Sequence, residues 1–293
     1  MKALVMVAPT VYGGTRDKVR AALRDCFAAA GFAHEWAETP AADAVPEFVR
    51  GRLRDGADCV VAVGGDGTVS AVAHALVDGP VPLGIVPAGT GNLVARELGI
   101  PLDVEAAVAV LAGSRNTRKL DAMRMGGHTY LLNAGVGINA EVIRRTSRFG
   151  KNLFGLSAYV GTAVWKVLQA RPQRLEVTVD GTARVYEATD VLISNCGALA
   201  RGLHPNGPDI RVDDGVINVC VICMKMPLEY PWYYVLKSLR LKHADRIIHE
   251  FEARQSVTLR SDVPLAVQAD GDMVGTTPFT IDVRPRALTV IVP

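Results

Sequence analysis

The sequence has no long apolar run and few cysteines, and both absences limit the class of protein to which it can belong. No uninterrupted apolar stretch reaches the roughly 18 to 20 residues that a membrane-spanning helix needs. The short run after Lys2 is broken at Pro9, which favours a buried first strand over a secretion signal. The 5 cysteines are odd in number and scattered, which argues against a disulfide framework and indicates a reducing compartment. We therefore expect a cytoplasmic protein that is soluble or attached to a membrane surface.

The sequence also has a small net charge and no low-complexity segment. The formal net charge of +2 is too small to indicate nucleic-acid binding, so we expect no nucleic-acid partner. No repeat or low-complexity segment is evident, and 49% of the residues are hydrophobic, which excludes a disordered chain. The length of 293 residues allows one large domain or two ordinary domains, each with its own core.

The pattern of predicted elements changes near residue 119. Before that point, short apolar strands alternate with helical segments, which indicates a parallel sheet covered on both faces. After it, many short segments with period-2 alternation predict an antiparallel, sandwich-like half. We therefore predict a Rossmann-like α/β domain over 1–118 and a β-rich domain over 119–275, and the sequence leaves open whether 276–293 completes the first domain. The individual predictions include strands at Lys2–Val7, Cys59–Val63, Pro82–Val86, Phe279–Val283 and Leu288–Val292, and helices at Thr15–Ala30, Glu47–Arg54, Thr68–Val77 and Asn92–Leu98.

The strongest local signal is the run Gly64-Gly65-Asp66-Gly67-Thr68, which joins a buried strand to a helix. Glycines let a backbone approach a phosphate closely, and the helix start supplies amide donors for an anion. Thr68 is predicted to cap the helix. A carboxylate at Asp66 would repel a phosphate, so it suggests Mg²⁺ or a substrate proton between the two groups.

A second glycine-rich loop follows the next strand, at Pro87-Ala88-Gly89-Thr90-Gly91-Asn92. Two such loops, one strand apart, would lie together at the carboxyl edge of a parallel sheet, where folds of this class bind ligands. Each loop alone is compatible with a tight turn between strand and helix. The pair, with Asp66, predicts a phosphate-binding site.

With these loops the chain resembles the diacylglycerol kinase catalytic domain of bacterial soluble lipid kinases, a family related to sphingosine and ceramide kinases. The resemblance continues in the family's order along nearly the whole chain, through Leu120-Asp121, Asn133–Gly137, Asp213–Val216 and Asp270–Asp272. It implies a nucleotide-binding α/β domain and a β-rich domain for the lipid, with ATP and Mg²⁺ between them.

The resemblance also implies roles for individual residues. Asp270 is similar to the catalytic base of the family, and Asp66 ranks second for that role because related sphingosine kinases use the matching aspartate. A hairpin turn is the plain alternative for Asp270–Asp272, and also for the turn at Asp213-Asp214. The implied nucleotide-binding residues are Gly64, Gly65, Gly67, Thr68, Pro87, Gly89, Thr90 and Asn92, and the implied metal ligands are Asp121, Asp213, Asp214 and Asp272.

The chain departs from the family pattern at two positions that commonly carry carboxylates. Ser70-Ala71 stands where many members have Asn-Glu, and Leu93 stands where an aspartate is usual. Ser70 can still donate a hydrogen bond, but the loss of carboxylates at 71 and 93 predicts a different or thinner metal network.

Two segments are candidates for contact with a membrane. Residues 142–175 carry seven arginines and lysines and no acidic residue, together with aliphatic and aromatic side chains. Such a segment suits an anionic lipid surface, although the apolar face of an ordinary packed helix would look the same. Aromatic residues followed by basic ones recur in 231–243 with the same ambiguity. We expect a lipid substrate and peripheral contact with anionic membranes, and a homodimer stays open.

Several rival functions share part of these signals. An NAD kinase would share the first glycine loop, and a sphingoid or other lipid could replace diacylglycerol as the acceptor. A protein that binds lipid or nucleotide without turnover would suit the missing carboxylates. A dinucleotide oxidoreductase would explain Gly135-Val136-Gly137 and Ala140, but no acidic residue follows at the distance needed to hold a ribose.

Overall fold

A computed structural model describes residues 2–41, 43–114, 116–137, 171–197, 210–224 and 248–293 of the chain. The first half alternates strands and helices, as predicted from the apolar spacing. Its elements are β1 (Lys2–Val7), α1 (Gly13–Ala29), β2 (Ala33–Glu38), α2 (Val45–Arg54), β3 (Cys59–Gly64), α3 (Asp66–Leu76), β4 (Leu83–Pro87), α4 (Leu93–Glu97) and α5 (Val104–Gly113).

The strands of the first half form a parallel sheet in the order β2-β1-β3-β4. Every residue of β3 and β4 is buried, because their Val, Ile and Ala side chains lie under helices on both faces. In a parallel sheet the strands end at a common edge. The loops after β3 and β4 therefore leave the sheet side by side.

The second half is almost entirely β-structure. Its strands are β5 (Thr117–Met125), β6 (His128–Tyr130), β7 (Asn133–Gly137), β8 (Gln173–Val179), β9 (Thr182–Ala188), β10 (Asp190–Ser194), β11 (Ile217–Ile222), β12 (Ile248–Ala253), β13 (Ser256–Ser261), β14 (Ala266–Ala269), β15 (Asp272–Thr276) and β16 (Phe279–Ile291). The first sheet continues from β4 through β16, β13, β8 and β9, with β5 also paired to β16. A second, antiparallel sheet has the order β12-β11-β10-β7-β14-β15.

The two sheets of the second half enclose a core of aliphatic side chains that includes Leu175, Ile193 and Leu259. The predicted fold class, an α/β half followed by a β-rich half, is confirmed. The end of the chain differs in detail from the prediction, because the two expected strands at 279–283 and 288–292 are one strand, β16. It bends at a register shift between Arg284 and Leu288 opposite β5, and Val290 pairs with Leu83 of β4.

Several elements had not been predicted. β2 is an edge strand whose residues lack clear alternation, and α5 is so uniformly apolar that no helical period stands out. The segment 231–243 and residues 142–170 of the segment 142–175 lie outside the described residues. Within the ranges that the structure describes, no helix has both the length and the apolar character to cross a membrane.

Candidate active site

The two glycine-rich loops touch each other at the carboxyl edge of the first sheet, as predicted. Gly64 pairs with Pro87 at the ends of β3 and β4, and the Ala88 amide donates to the Gly64 carbonyl at 2.9 Å. A Cβ atom on Gly89 would lie 2.4 Å from the Cα atom of Gly65. Glycine is therefore required at this contact, because any side chain would force the loops apart.

The second loop keeps its shape through Asn92. This residue has a φ of 51°, in the left-handed region, and its side chain closes a turn on Gly89. The Gly89 amide donates to Asn92 Oδ1 at 3.0 Å, and Asn92 Nδ2 donates to the Gly89 carbonyl at 2.9 Å. Gly67 and Thr90, also predicted to bind nucleotide, are exposed at this edge.

Asp66 joins the first loop to the second. It is the first residue of α3, and its carboxylate accepts a hydrogen bond from the Val94 amide at 3.2 Å. Burial raises the pKa of this carboxyl, and the amides at 92–94 oppose that effect. The predicted cap at Thr68 is wrong, because α3 begins two residues earlier, with Gly65 at its N-cap position and no side-chain cap bond. The threonine hydroxyl instead packs beside Gly64.

Asp270 lies in a two-residue turn between β14 and β15. Asp270 and Gly271 have φ angles of 48° and 92°, and the flanking residues Ala269 and Asp272 are paired, so the hairpin reading is correct. The Asp270 carboxylate accepts hydrogen bonds from the amides of 131, 132 and 133 at 2.9, 2.9 and 3.1 Å, and from Ser70 Oγ at 2.7 Å. Burial raises the pKa of Asp270, and these four donors partly offset the rise.

The same turn occurs a second time, at Asp180. Asp180 and Gly181 have φ angles of 47° and 83°, and the Asp180 carboxylate accepts from the amides of 254, 255 and 256 at 2.8, 2.8 and 2.9 Å. Burial alone would raise the pKa of Asp180, but the amide donors and Arg254 lower it overall. Asp270 differs in having a donor, Ser70, from the other half of the molecule.

Two of the predicted metal ligands hold backbone in place. Asp121 is fully buried on β5, where its Oδ2 accepts from the Gly215 amide at 2.7 Å and its Oδ1 accepts from the Arg286 amide at 2.6 Å. Burial raises the pKa of Asp121. Asp214 accepts from the Val216 amide at 3.0 Å. Both carboxylates therefore shape the turn at 213–215 and its junction with β16.

The other two predicted metal ligands have different surroundings. Asp213 forms ion pairs with Arg118 at 2.8 Å and Arg211 at 3.2 Å, and the hydrogen bond from Arg118 lowers the pKa of this carboxyl. Asp272 is exposed at the start of β15, two residues after Asp270. In the part of the chain that the structure describes, no group of three or more His, Cys, Asp or Glu side chains is arranged to hold a metal.

A narrow cleft separates α4 from the second half of the molecule. It has room for about one water molecule and is lined by Val94, Glu97, Leu98, Leu120, Leu131, Leu132, Asn195, Cys196 and Val212. The Val94 amide binds Asp66, and the amides of Leu131 and Leu132 bind Asp270. The cleft wall therefore includes three residues whose amides hold the two candidate catalytic carboxylates, although neither carboxylate lines the cleft itself.

Sequence reasoning missed Asn195 in this cleft. Asn195 follows β10, is 1% exposed, and donates from Nδ2 to the carbonyls of Asp121 and Leu131 at 2.9 Å each. Its only sequence signal is a polar residue directly after a buried strand. The two glycines of the rival dinucleotide fingerprint, Gly135 and Gly137, lie within β7 and not in a loop, and a Cβ on Gly135 would meet the Val191 carbonyl at 2.4 Å.

Known proteins resemble both halves of the chain. The diacylglycerol kinase catalytic domain matches residues 2–125, and the YegS C-terminal NAD kinase beta sandwich-like domain matches residues 133–292. A Pseudomonas aeruginosa protein named a probable YegS-like lipid kinase is 33% identical over 177 residues, which cover 60% of this chain and 58% of that protein. A diacylglycerol kinase of Staphylococcus haemolyticus is 27% identical over 253 residues, covering 86% of this chain and 76% of that protein.

Solved structures share the fold. A diacylglycerol kinase structure from Bacillus anthracis superposes with a TM-score of 0.80 at 22% identity, covering 100% of this chain and 97% of that one. The matched region spans 58% of the length of the Pseudomonas relative, which is less than two thirds, and 76% of the length of the Staphylococcus relative. Because matches to the two domain families together cover nearly all of the sequence, the chain belongs to the diacylglycerol kinase catalytic domain family, with a YegS-type C-terminal domain.

Proposed function

We propose that this protein is an ATP-dependent lipid kinase that transfers the γ-phosphoryl group of ATP to a lipid hydroxyl. Diacylglycerol is the first acceptor that we propose, which would give phosphatidic acid. The observation that carries the proposal is the 2.7 Å hydrogen bond from Ser70 to Asp270. Ser70 is one helical turn beyond Asp66, so the bond holds a buried carboxylate close to the phosphate-binding loops.

In this proposal, the sheet edge formed by half-buried Gly65 and exposed Gly67, Gly89 and Thr90 binds the phosphates of ATP through backbone amides. Asp270 accepts the proton of the attacking hydroxyl, and its raised pKa suits a base that must hold that proton during transfer. Asp66 ranks second as base. Its hydrogen bond to the Val94 amide favours a role in holding the two loops together.

Mg²⁺ would neutralise the charge that develops on the phosphate oxygens. The donor set fits this ion, because Mg²⁺ bound with a nucleotide needs only one or two carboxylates beside phosphates and waters. Of the four predicted ligands, we propose Asp272 first because it is exposed beside Asp270. Asp121, Asp213 and Asp214 stay as proposed members of a supporting network, although amides and guanidinium groups already engage them.

Apolar residues lie near the proposed base. Six of the nine residues that line the narrow cleft beside α4 are aliphatic, and the amides of two of them, Leu131 and Leu132, bind Asp270. The cleft itself is too small to hold a lipid head. Hydrophobic contacts discriminate weakly between acyl chains, so a sphingoid base or another long-chain alcohol is the alternative acceptor. We also propose that the protein works in the cytoplasm at the surface of anionic membranes.

The test is transfer of labelled γ-phosphate from Mg-ATP to lipids in mixed micelles. The panel contains diacylglycerol, monoacylglycerol, sphingosine and ceramide, with NAD as a soluble acceptor. Labelled lipid that disappears with Asp270→Asn supports the proposal and names the acceptor. Labelled NADP would make the protein an NAD kinase. ATP binding without any labelled product would make it a binding protein without turnover.

A further inference from the structure

The hydrogen bond between Ser70 and Asp270 joins residues 200 positions apart in the sequence. Ser70 lies on α3 and is 8% exposed, and Asp270 lies in the turn between β14 and β15. Because α3 begins in the first glycine-rich loop, the position of the serine hydroxyl is tied to the place where phosphate would bind. This bond therefore sets the distance between the proposed base and the proposed nucleotide site.

The hydrogen-bonding capacity of the Asp270 carboxylate is fully used. Its Oδ2 accepts from Ser70 Oγ and the Leu131 amide, and its Oδ1 accepts from the Leu132 and Asn133 amides. A carboxylate offers about four lone-pair sites. An incoming hydroxyl can therefore reach Asp270 only through one of these donors or in place of it.

Only one of the four donors can pass a proton on. Three are backbone amides of consecutive residues, held against the turn by a further bond of 2.8 Å from the Asp270 amide to the Asn133 carbonyl. An amide in this position cannot rotate, and it does not exchange its proton during a turnover. The Ser70 hydroxyl rotates about one bond, and it both donates and accepts.

Asp180 shows what this turn looks like without such a hydroxyl. Its carboxylate receives three consecutive amides in the same Asp-Gly turn, and the described part of the chain provides it with no serine or threonine donor. The three amides therefore account for the shape of the turn. The serine is the addition that distinguishes Asp270.

We propose that Ser70 relays the proton from the acceptor hydroxyl to Asp270, an inference that rests on the proposed kinase function. The acceptor O–H bond breaks and its proton passes to Ser70 Oγ, while the proton of Ser70 passes to Asp270 Oδ2. The acceptor oxygen forms a bond to the γ-phosphorus, whose bond to the β,γ-bridging oxygen breaks, and the electron pair leaves with ADP. Ser70 ends as a hydroxyl and Asp270 ends protonated, and Asp270 returns its proton to water after product release.

The first test compares Ser70→Ala, Ser70→Thr and Ser114→Ala in the labelled-phosphate assay. We expect Ser70→Ala to lower kcat about 100-fold at unchanged ATP affinity, the lower end of the range for positioned proton transfer. Ser70→Thr keeps a hydroxyl and should stay within about 10-fold of the wild type. Ser114 is the matched control, because its Oγ donates to the Val292 carbonyl at 2.6 Å, at the end of α5.

A solvent isotope experiment separates a relay from a merely structural bond. Wild-type rates in mixtures of H₂O and D₂O give a readout that needs no variant. Two protons in flight predict a curved dependence on deuterium fraction, whereas a linear one would overturn the relay.

The outcomes distinguish the relay from the function on which it rests. Full activity in Asp270→Asn would overturn Asp270 as base, whatever Ser70 does. An inactive Asp270→Asn beside a Ser70→Ala with wild-type kcat would overturn the relay and keep the kinase. A Ser70→Ala that loses activity only through weaker ATP binding would also overturn it, because the bond would then only position the two halves.

Discussion

At the residue scale, several aspartates in the described part of the chain accept hydrogen bonds from backbone amides. Asp66 binds the start of α4, Asp121 binds two distant amides, and Asp180 and Asp270 each bind three consecutive ones. Such bonds stabilise turns that would otherwise leave polar groups without partners. Function therefore has to be separated from structure by comparing aspartates in the same local geometry.

The pair Asp270→Asn and Asp180→Asn makes that comparison. Each change replaces a carboxylate oxygen by an NH₂ group, which faces backbone N–H donors and cannot accept a hydrogen bond from them. We therefore expect each change to lower the free energy of unfolding by about 1–3 kcal/mol. Only Asp270→Asn should also lower kcat, by about 10² to 10⁴-fold, because it removes the proposed base. Denaturant unfolding and the labelled-phosphate assay measure the two effects. Equal activity losses in both variants would contradict a special role for Asp270.

The pH dependence of catalysis follows from the buried state of Asp270. A base works only when it is deprotonated, and burial raises the pKa of Asp270 above the ordinary value of about 3.9. Activity should therefore be full above that raised pKa and fall as the pH decreases through it. The measurement is kcat against pH at saturating Mg-ATP. Asp180→Asn is the control, in which the acid limb of the profile should stay where it is in the wild type. An acid limb at or below pH ~4 would contradict the prediction.

At the element scale, the contact between the two glycine-rich loops depends on backbone proximity. Gly65 and Gly89 approach so closely that the second loop cannot carry a side chain at Gly89 without displacing the first. β3 and β4 set this proximity, because parallel neighbours end together at the sheet edge. The proposed phosphate-binding geometry thus depends on two strands and two loops taken together.

Gly89→Ala tests this contact. Its Cβ would lie 2.4 Å from the Gly65 Cα, so we expect a loss of about 1–3 kcal/mol in unfolding free energy and weaker ATP binding. Gly51→Ala is the matched control, because Gly51 lies in α2 with nothing within 4 Å of an added Cβ. That change should stabilise the helix by about 0.5–1 kcal/mol. Thermal melting and nucleotide titration measure both, and unchanged ATP affinity in Gly89→Ala would contradict a shared phosphate site.

At the scale of the whole molecule, the two halves share one sheet. β16 pairs with β4 in the first half and with β5 and β13 in the second, so the end of the chain ties the halves together. Ser70 and Asp270 meet across the same junction. The relative position of the proposed nucleotide site and base is therefore supported by backbone pairing as well as by one side-chain bond.

The proposed membrane contact is also a property of the whole molecule. Residues 142–175 carry basic residues without an acidic one, so we expect the protein to co-sediment with anionic vesicles at low salt and to dissociate as salt screens the charges. Neutral vesicles are the control. Arg144→Gln, Arg145→Gln and Arg148→Gln combined should weaken sedimentation at least several-fold, since each basic residue contributes about 1 kcal/mol near such a surface. Equal binding to neutral vesicles would contradict electrostatic attraction.

The sequence by itself determined the fold class, the two glycine-rich loops and their adjacency. Those features depend on local apolar spacing, on glycine and on the rule that parallel strands end together. The family resemblance then singled out Asp270 and Asp66. It could not show that Asp66 is bound to the start of α4 or that Asp121 holds Gly215 and Arg286.

Only the tertiary structure decided which groups surround each carboxylate. Ser70 and Asp270 are 200 residues apart, and Asn195 reaches the candidate site from β10 through bonds to Asp121 and Leu131. Hydrogen bonds of this kind have no period or spacing in the sequence, because they arise where separately folded elements meet. The sequence gives the chemical type of each residue. The packing of the two halves produces the surroundings that set the pKa values of these residues and the proposed proton path.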